Sequence, residues 1–470
     1  PWLTSTAFLH SVLVQEKRGM LKVWNVSLIC ATFVLALLGT FLVRSGILDS
    51  IHAFGASTLG TPFVLFIALV ALGSVVLILS RLDDLRSEAK LDSFLSREAF
   101  FLLNNLVLVA LAVVIMWGTY FPLISEALTG NEQSVGPPFF NGATTPLALV
   151  LVLLAGVGPV ISWRRATPAN LRRAFLAPLA TAALALVAML ALTPAAESTT
   201  SLIMFTFVAF LLGVVVQEFA RGVAARRVMA GEAIPTAFAH LVTRNRRRYG
   251  GYVVHAGIAI LFLGVAASSA FIQQRDVRLS PGQSADVGDY TITYVRPTAA
   301  FLDDRAQTGA PISFGAVLAA RRGNKHYVFH PAHNYYPASD GSGGPIGRYF
   351  EGESTSEVDL KWGLRRDFWT AIQPDIRELR APIAEANRRF GKSNGTVQAL
   401  AIAAITQSYL KNPPPANFRA ISSPLIAWIW IGGGVAVFGA LTALWPTPEA
   451  RRRRAASLAK ARLGRELSRA

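Results

Sequence analysis

Cysteine is nearly absent: Cys30 is the one example in 470 residues. No internal disulfide can form and no thiolate metal cluster is available; set in an apolar run, Cys30 reads as a small core residue. Charge is scarce as well. Asp, Glu, Lys and Arg make up 16 % of the chain, against about 25 % in an ordinary soluble domain, which argues against a soluble protein. The charge present is dominated by one sign, a net +17. Yet the Lys and Arg residues form short blocks between apolar runs instead of covering one solvated domain, so a nucleic-acid binder is excluded. Also missing are G-x-S-x-G, a P-loop, H-E-x-x-H and a dinucleotide fingerprint. No pair of carboxylates interrupts the apolar runs, as a proton pump would require, and no repeat or low-complexity segment stands out.

Apolar residues are what the chain has in abundance: 52 % are hydrophobic and the mean hydropathy is +0.42. A helix needs about 20 apolar residues to cross the hydrocarbon core. Eight runs qualify, at 24–43, 61–80, 100–119, 145–163, 175–192, 202–218, 252–271 and 424–445. Residues 1–14 read as the end of a ninth helix, and the chain, which opens Pro-Trp, as N-terminally truncated.

Basic residues alternate between loops. Counting residues 1–14 as the first span, they follow the first span (Lys17, Arg18, Lys22), the third (Arg81, Arg86, Lys90, Arg97), the fifth (Arg164, Arg165, Arg172, Arg173) and the seventh (Arg221, Arg226, Arg227, Arg244, Arg246, Arg247, Arg248), and they open the tail at Arg451. The intervening short loops, 44–60, 120–144 and 193–201, carry only Arg44. Positive charge marks the cytoplasmic side, so the tail is expected there and residues 272–423 on the opposite side. In that segment 285–295 and 312–321 have strand-like patterns bounded by Gly and Pro, and 396–409 has helical spacing. The expected architecture is an all-α polytopic membrane protein with a smaller β-rich domain: a bundle at 1–271, the β-rich domain at 272–423, a last span at 424–445 and a basic tail at 446–470.

Seven histidines are present. His10 and His255 lie inside apolar helices, where ionisable residues are functional candidates. His10 comes seven residues before Lys17 and His255 seven after Arg248; at about 1.5 Å per residue both sit roughly 10 Å inside the same membrane face. Two neutral imidazoles at one depth suit axial ligation of a single metal or haem iron. Thr6, Ala7, Gly251, Ala256 and Gly257 beside them leave room for a planar ligand. The same pattern equally suits close helix packing, with each His hydrogen-bonded across a helix interface. His52 lies on an outer loop with the helical spacing of a short interfacial segment; near it, Arg44 could pair with a carboxylate or simply close a span. His326, His330 and His333 form H-x3-H-x2-H, but Pro331 breaks any helix that would align them, so a structural role is expected. His240, among basic residues, reads as solvated.

Several segments resemble the CcmF family of cytochrome c haem lyases, and through it a wider group of haem-handling membrane proteins that includes NrfE and CcsA. They are PWLTSTAFLHSVLVQEKR, LLGTFLVRSGILDSIHAF, SREAFFLLNN, SVGPPFFN, GVGPVISWRR and GGYVVHAGIAILFLGVA, with FHPAHNYYP and EVDLKWGLRRDFW in the later domain. The resemblance covers essentially the whole chain, and its implications are extensive. The protein would act in System I cytochrome c maturation in the bacterial inner membrane, receiving haem from the CcmE chaperone and attaching it to the Cys-x-x-Cys-His motif of apocytochrome c. CcmH- or CcmI-type subunits would be further partners, with membrane lipid around the spans and no nucleic acid involved. His10 and His255 would be axial ligands of a resident haem b, His52 the second of two outer ligands to the incoming haem, and Arg44 a contact to its propionate. The family's tryptophan-rich WWD segment and first outer His would precede Pro1. On the residues alone, two other classes stay open: a polytopic transporter without a redox cofactor, and a non-catalytic assembly subunit. The lack of an inverted repeat or paired broken helices counts against the first.

Overall fold

The computed structural model describes residues 1–45, 60–301, 312–338 and 343–446. Nine helices come first: α1 (Trp2–Arg18), α2 (Lys22–Ser45), α3 (Gly60–Ser80), α4 (Arg97–Thr129), α5 (Pro137–Val157), α6 (Pro168–Leu192), α7 (Thr199–Ala230), α8 (Ile234–Arg244) and α9 (Arg246–Ala270). A β-rich segment follows with strands β1 (Gln273–Leu279), β2 (Ser284–Val287), β3 (Tyr290–Phe301), β4 (Ile312–Arg322), β5 (Lys325–Phe329) and β6 (Ala332–Tyr335). After α10 (Gly344–Glu351) come β7 (Ser354–Glu357), β8 (Asp359–Lys361) and β9 (Arg366–Gln373). Then α11 (Arg380–Phe390), α12 (Gly395–Lys411), β10 (Ala416–Pro424) and α13 (Ala427–Leu444) complete the described chain.

Two compact units result: Pro1–Phe262 with the stretch from Gly432 onward, and Leu263–Ile431. The divisions fall inside α9 and α13, not at the helix ends near 271 and 424, because Gly264 packs directly on Leu425 and Ile429.

In the helical unit and its flanks, eight helices (α2 to α7, α9 and α13) are long and apolar enough to cross a membrane. They expose apolar side chains freely; on α3, Leu65, Leu69, Leu72 and Leu77 are each at least 65 % exposed, a surface suited to lipid and not to water. This is a multi-pass membrane protein. Local chemistry sets the helix ends. Ser96 accepts a hydrogen bond from the Ala99 N–H at the start of α4, and Gly130 closes that helix at φ 73°; the glycine takes a left-handed conformation that other residues resist. The fourth apolar run begins earlier than its hydropathy suggests. Gly136 caps α5 and Pro137 occupies its first turn, where a missing N–H costs nothing.

In the β-rich unit, one sheet runs β1-β10-β9-β8 and the other β2-β3-β4-β6-β7, with β5 also paired to β4. The expected strand over 285–295 is a hairpin: Val287 faces Tyr290 across Gly288, whose φ is 57°. A glycine at the first central position suits the twist of a two-residue turn. Leu279, Tyr290, Ile292, Tyr294, Leu318, Phe329, Phe368 and Phe418 fill the core between the two sheets. A second core joins Ile312, Phe314 and Tyr335 to Ile346, Ile383, Ile402 and Tyr409 of α10 to α12.

Candidate functional site

The site is built on α1, α4, α5 and α9. Thr4, Ala7, Ser11 and Val14 form the buried stripe of α1, at the spacing that brings them to one helix face. Ala7 packs with Leu28 of α2 and Leu108 of α4, while Thr4 and Ser11 hydrogen-bond to Thr32 and Asn25 of α2. This docking sets the rotation of α1 and hence of His10. On α9, Gly250 and Gly257 lie against the backbone of α13, at Gly439 and Gly432. His255, two residues from Gly257, is turned about 200° from that stripe.

His10 and His255 meet. Their ring centres are 6.3 Å apart, with the planes tilted by 40°. Nδ1 of His10 is 2.8 Å from the Thr6 carbonyl oxygen, and Nδ1 of His255 is 2.9 Å from that of Ala155 on α5. A carbonyl can only accept, so each Nδ1 carries the hydrogen, and in the neutral ring Nε2 keeps its lone pair. Two imidazoles bound on opposite sides of one metal ion, at about 2.0–2.1 Å per nitrogen, have centres roughly 6 Å apart. The separation fits.

Two further features bear on what the pair can hold. A Cβ at Gly251, one turn before His255, would meet nothing within 4 Å, so that side of α9 is open. Asn105 of α4 is fully buried, yet neither of its amide atoms has a hydrogen-bond partner, nor do Asn104 Nδ2 and Trp24 Nε1. An unpaired buried polar group costs about 1–3 kcal/mol, so this stretch retains bonding capacity for a ligand or an internal water. Among the described residues no group of three or more His, Cys, Asp or Glu could hold a metal ion. Two histidines alone suit an iron whose remaining ligands come from a macrocycle, as in a haem.

Aromatic and charged groups extend the site toward the basic loops. The Phe101 ring lies 6.0 Å edge-on from His10 and 6.1 Å from Trp163, over which the Arg97 guanidinium sits at 5.2 Å. Arg97 also donates to the carbonyls of Ile161 and Pro159, in the turn that follows α5. Two buried carboxylates balance the cations. Glu98 accepts from the Arg164 backbone N–H and pairs with Arg18 at 3.2 Å. Glu218 accepts from Arg248 at 2.7 Å and from the Tyr252 hydroxyl at 2.9 Å. Sequence reasoning passed over Glu98, Glu218, Asn104 and Asn105. The adjacent asparagines in an apolar run were the available signal.

The other candidates lie elsewhere. His52 falls outside the described residues. Arg44 is in the last turn of α2, with its side chain exposed. The His326, His330 and His333 side chains form no metal set: the His330 backbone N–H donates to Asp359 and His333 Nδ1 lies 3.1 Å from the Ser356 hydroxyl. His240 is not simply solvated; its Nδ1 is 2.9 Å from Glu232. Arg226 and then His240, both hydrogen-bonded to Glu232, bring that carboxyl down to about 2. Cys30, expected in the core, is only partly buried on α2.

No family model matches the chain. Individual relatives do. The chain is 32 % identical over 450 residues to the cytochrome c-type biogenesis protein CcmF of Pseudomonas aeruginosa, covering 94 % of this chain and 58 % of that protein. With CcmF of Escherichia coli K12 it shares 30 % identity over 449 residues, 95 % of this chain and 58 % of the relative. A solved structure, cytochrome c heme lyase CcmF, matches with a TM-score of 0.63 at 25 % identity, over 95 % of this chain and 58 % of the other. The chain thus spans somewhat under three fifths of the length of these relatives. With this extent of sequence and structural likeness, the chain belongs to the CcmF family of cytochrome c-type biogenesis proteins.

Proposed function

We propose that the chain works as a haem lyase component of System I cytochrome c maturation. In this reading it receives haem from the CcmE chaperone, keeps it reduced through a resident haem b, and joins it to the Cys-x-x-Cys-His motif of apocytochrome c. The observation that carries the reading is the pair His10 and His255, 6.3 Å between ring centres, each with Nδ1 tied to a backbone carbonyl.

A bound haem b would supply reversible one-electron chemistry at its iron. The protein's part is to hold and orient. His10 and His255 would hold it through Nε2, while the carbonyls of Thr6 and Ala155 keep the rings turned and make them more basic. Arg97, whose hydrogen-bond partners are the neutral carbonyls of Ile161 and Pro159, would be a cation for a carboxylated ligand, whereas Arg248 is already paired with Glu218. His52 would contribute to holding the incoming haem, with Arg44 a contact to its propionate.

Thioether formation adds a thiol S–H across a haem vinyl group: the sulfur bonds to one carbon and the hydrogen ends on the other, with no net electron transfer. Both thiols belong to the substrate, so no reactive cysteine is required, and Cys30 needs no catalytic role. What the lyase contributes is positioning of two partners. The alternation of basic loops supports an inner-membrane protein with its tail in the cytoplasm and the β-rich unit on the periplasmic side, where apocytochrome, CcmE and CcmH- or CcmI-type subunits would meet it.

The test is optical. The purified protein should show a low-spin b-type spectrum, and His255→Ala and His10→Ala should each abolish it. Survival of an unchanged spectrum in either variant would refute the ligand assignment.

A further inference from the structure

We propose that the segment Val358 to Leu364, with Trp430, is an interfacial anchor that inserts into the lipid surface where α13 enters the membrane. The inference does not depend on the haem. It rests on β8, a strand at the edge of its sheet, paired with β9 alone.

Along and beyond β8, every second residue is apolar and exposed: Val358 53 %, Leu360 50 %, Trp362 71 % and Leu364 59 %. Leu360 lies within β8, and Val358, Trp362 and Leu364 continue on either side of it the spacing of two that puts strand residues on one face. A row of this kind open to water on an edge strand is an aggregation hazard that native proteins avoid or cover.

The row's location identifies the cover. The Leu425 N–H donates to the Arg365 carbonyl at 3.1 Å, and the Trp428 indole N–H donates to the Leu364 carbonyl at 2.8 Å. Arg366 of β9 stands opposite Pro424 of β10. Trp428 is in the first turn of α13, one of the helices long and apolar enough to cross a membrane. The turn carrying Trp362 and Leu364 is therefore hydrogen-bonded to the point where the chain passes into a span. Trp430, nearby on α13, is 82 % exposed. Indole rings favour the headgroup level of a bilayer.

Charge agrees. Lys361 and Arg365 flank the apolar side chains and are exposed, so cations would lie at phosphate depth. Of the neighbouring carboxylates, Asp359 within the segment accepts from the His330 N–H, and Asp367 is turned inward and accepts from the Gly363 N–H. The chemistry fits lipid with an anionic component. It would pin that end of the sheet to the bilayer surface and cover the β8 edge.

The test places a spin label on the full chain in nanodiscs of phosphatidylethanolamine and phosphatidylglycerol. Cys30→Ser removes the native thiol, and Trp362→Cys, Leu364→Cys and, as a control, Gln373→Cys supply single sites. Gln373 is on β9, seven residues beyond Arg366, roughly 23 Å along the strand at about 3.3 Å per residue. Labels at 362 and 364 should collide several-fold more with oxygen, relative to a water-soluble nickel chelate, than the label at 373. Equal chelate access at 362 and 373 would overturn the proposal. So would protection of 362 that arises only when a soluble protein is added, which would make the row a protein-docking edge. A separate measurement avoids the cysteine variants. Lipids brominated near the headgroup should quench part of the wild-type tryptophan emission, and Trp362→Phe should reduce that part by the share of Trp362, leaving the share of Trp430; undiminished quenching would count against the anchor.

Discussion

Replacing Gly257 with Ala tests whether α9 and α13 hold His255 in place. A Cβ there would lie 2.4 Å from the Ala436 N, 2.6 Å from the Gly432 O and 2.8 Å from the Ala436 Cα. All three are backbone atoms of the facing helix, so no side chain can swing aside. Carbon contacts are comfortable at about 3.5–4.0 Å, so the helices must part by about 1 Å. Overpacking costs about 1–3 kcal/mol, here the upper part of that range, about 2–3 kcal/mol, because only backbone can yield, and alanine returns up to about 1 kcal/mol over glycine in helix propensity. The net loss is about 1–2 kcal/mol. If the displacement reaches His255, two residues away, haem retention falls about 5–30-fold, since every 1.4 kcal/mol is tenfold. Gly251→Ala is the matched control. Its Cβ meets nothing within 4 Å, so the fold should gain up to about 1 kcal/mol, yet the methyl enters the open space on the histidine side and bound haem should drop. The assays are thermal unfolding in detergent and the haem-to-protein ratio from a pyridine haemochrome spectrum. If Gly257→Ala melts like wild type with full haem, or the two variants behave alike, the packing argument fails.

Two further outcomes are expected. Glu218→Gln should lower stability by about 1–2 kcal/mol, because Arg248 loses a charged partner at 2.7 Å. The loss stays modest because the Arg248 side chain is 61 % exposed and remains hydrated; an unchanged melting curve would show the cluster to be slack. Burial lowers the His333 pKa, so between its folded value and the unfolded value the unfolded chain binds more protons and stability rises with pH. The contribution is fully present above an unfolded value of about 6.5 and is lost as pH falls below it. Amide exchange in β6 and β7 should therefore be faster at pH about 5 than at pH about 7.5, and His333→Gln should flatten that difference; an equal dependence in the variant would refute it.

The spans were legible because a bilayer imposes a local rule: an apolar run of sufficient length, with its backbone bonds satisfied within the segment. The all-α membrane architecture with a β-rich addition, and the helix at Gly395–Lys411, follow from such local patterns. Less legible were features decided by a single residue. Gly136 and Pro137 start α5 ahead of its hydropathy, and Gly288 folds one apparent strand into two. The sheet orders, in which β1 pairs with β10 across most of the unit, depend on contacts between residues far apart in the chain.

For the site, the sequence by itself determined depth. His10 and His255 each lie seven residues from a basic edge, and helical rise converts that count into a common level. Direction around the helix axis was not determined, because two helices at one depth can present their histidines to any neighbour. Tertiary structure decided it. Glycines turn one face of α9 onto α13 and leave His255 on the other side. The buried stripe of α1 packs on α2 and α4, and the Ala155 carbonyl reaches from α5 to hold His255. Rise along a helix is set by backbone geometry common to all sequences, whereas rotation is set by which side chains fit against which, and that is known only once the helices are packed.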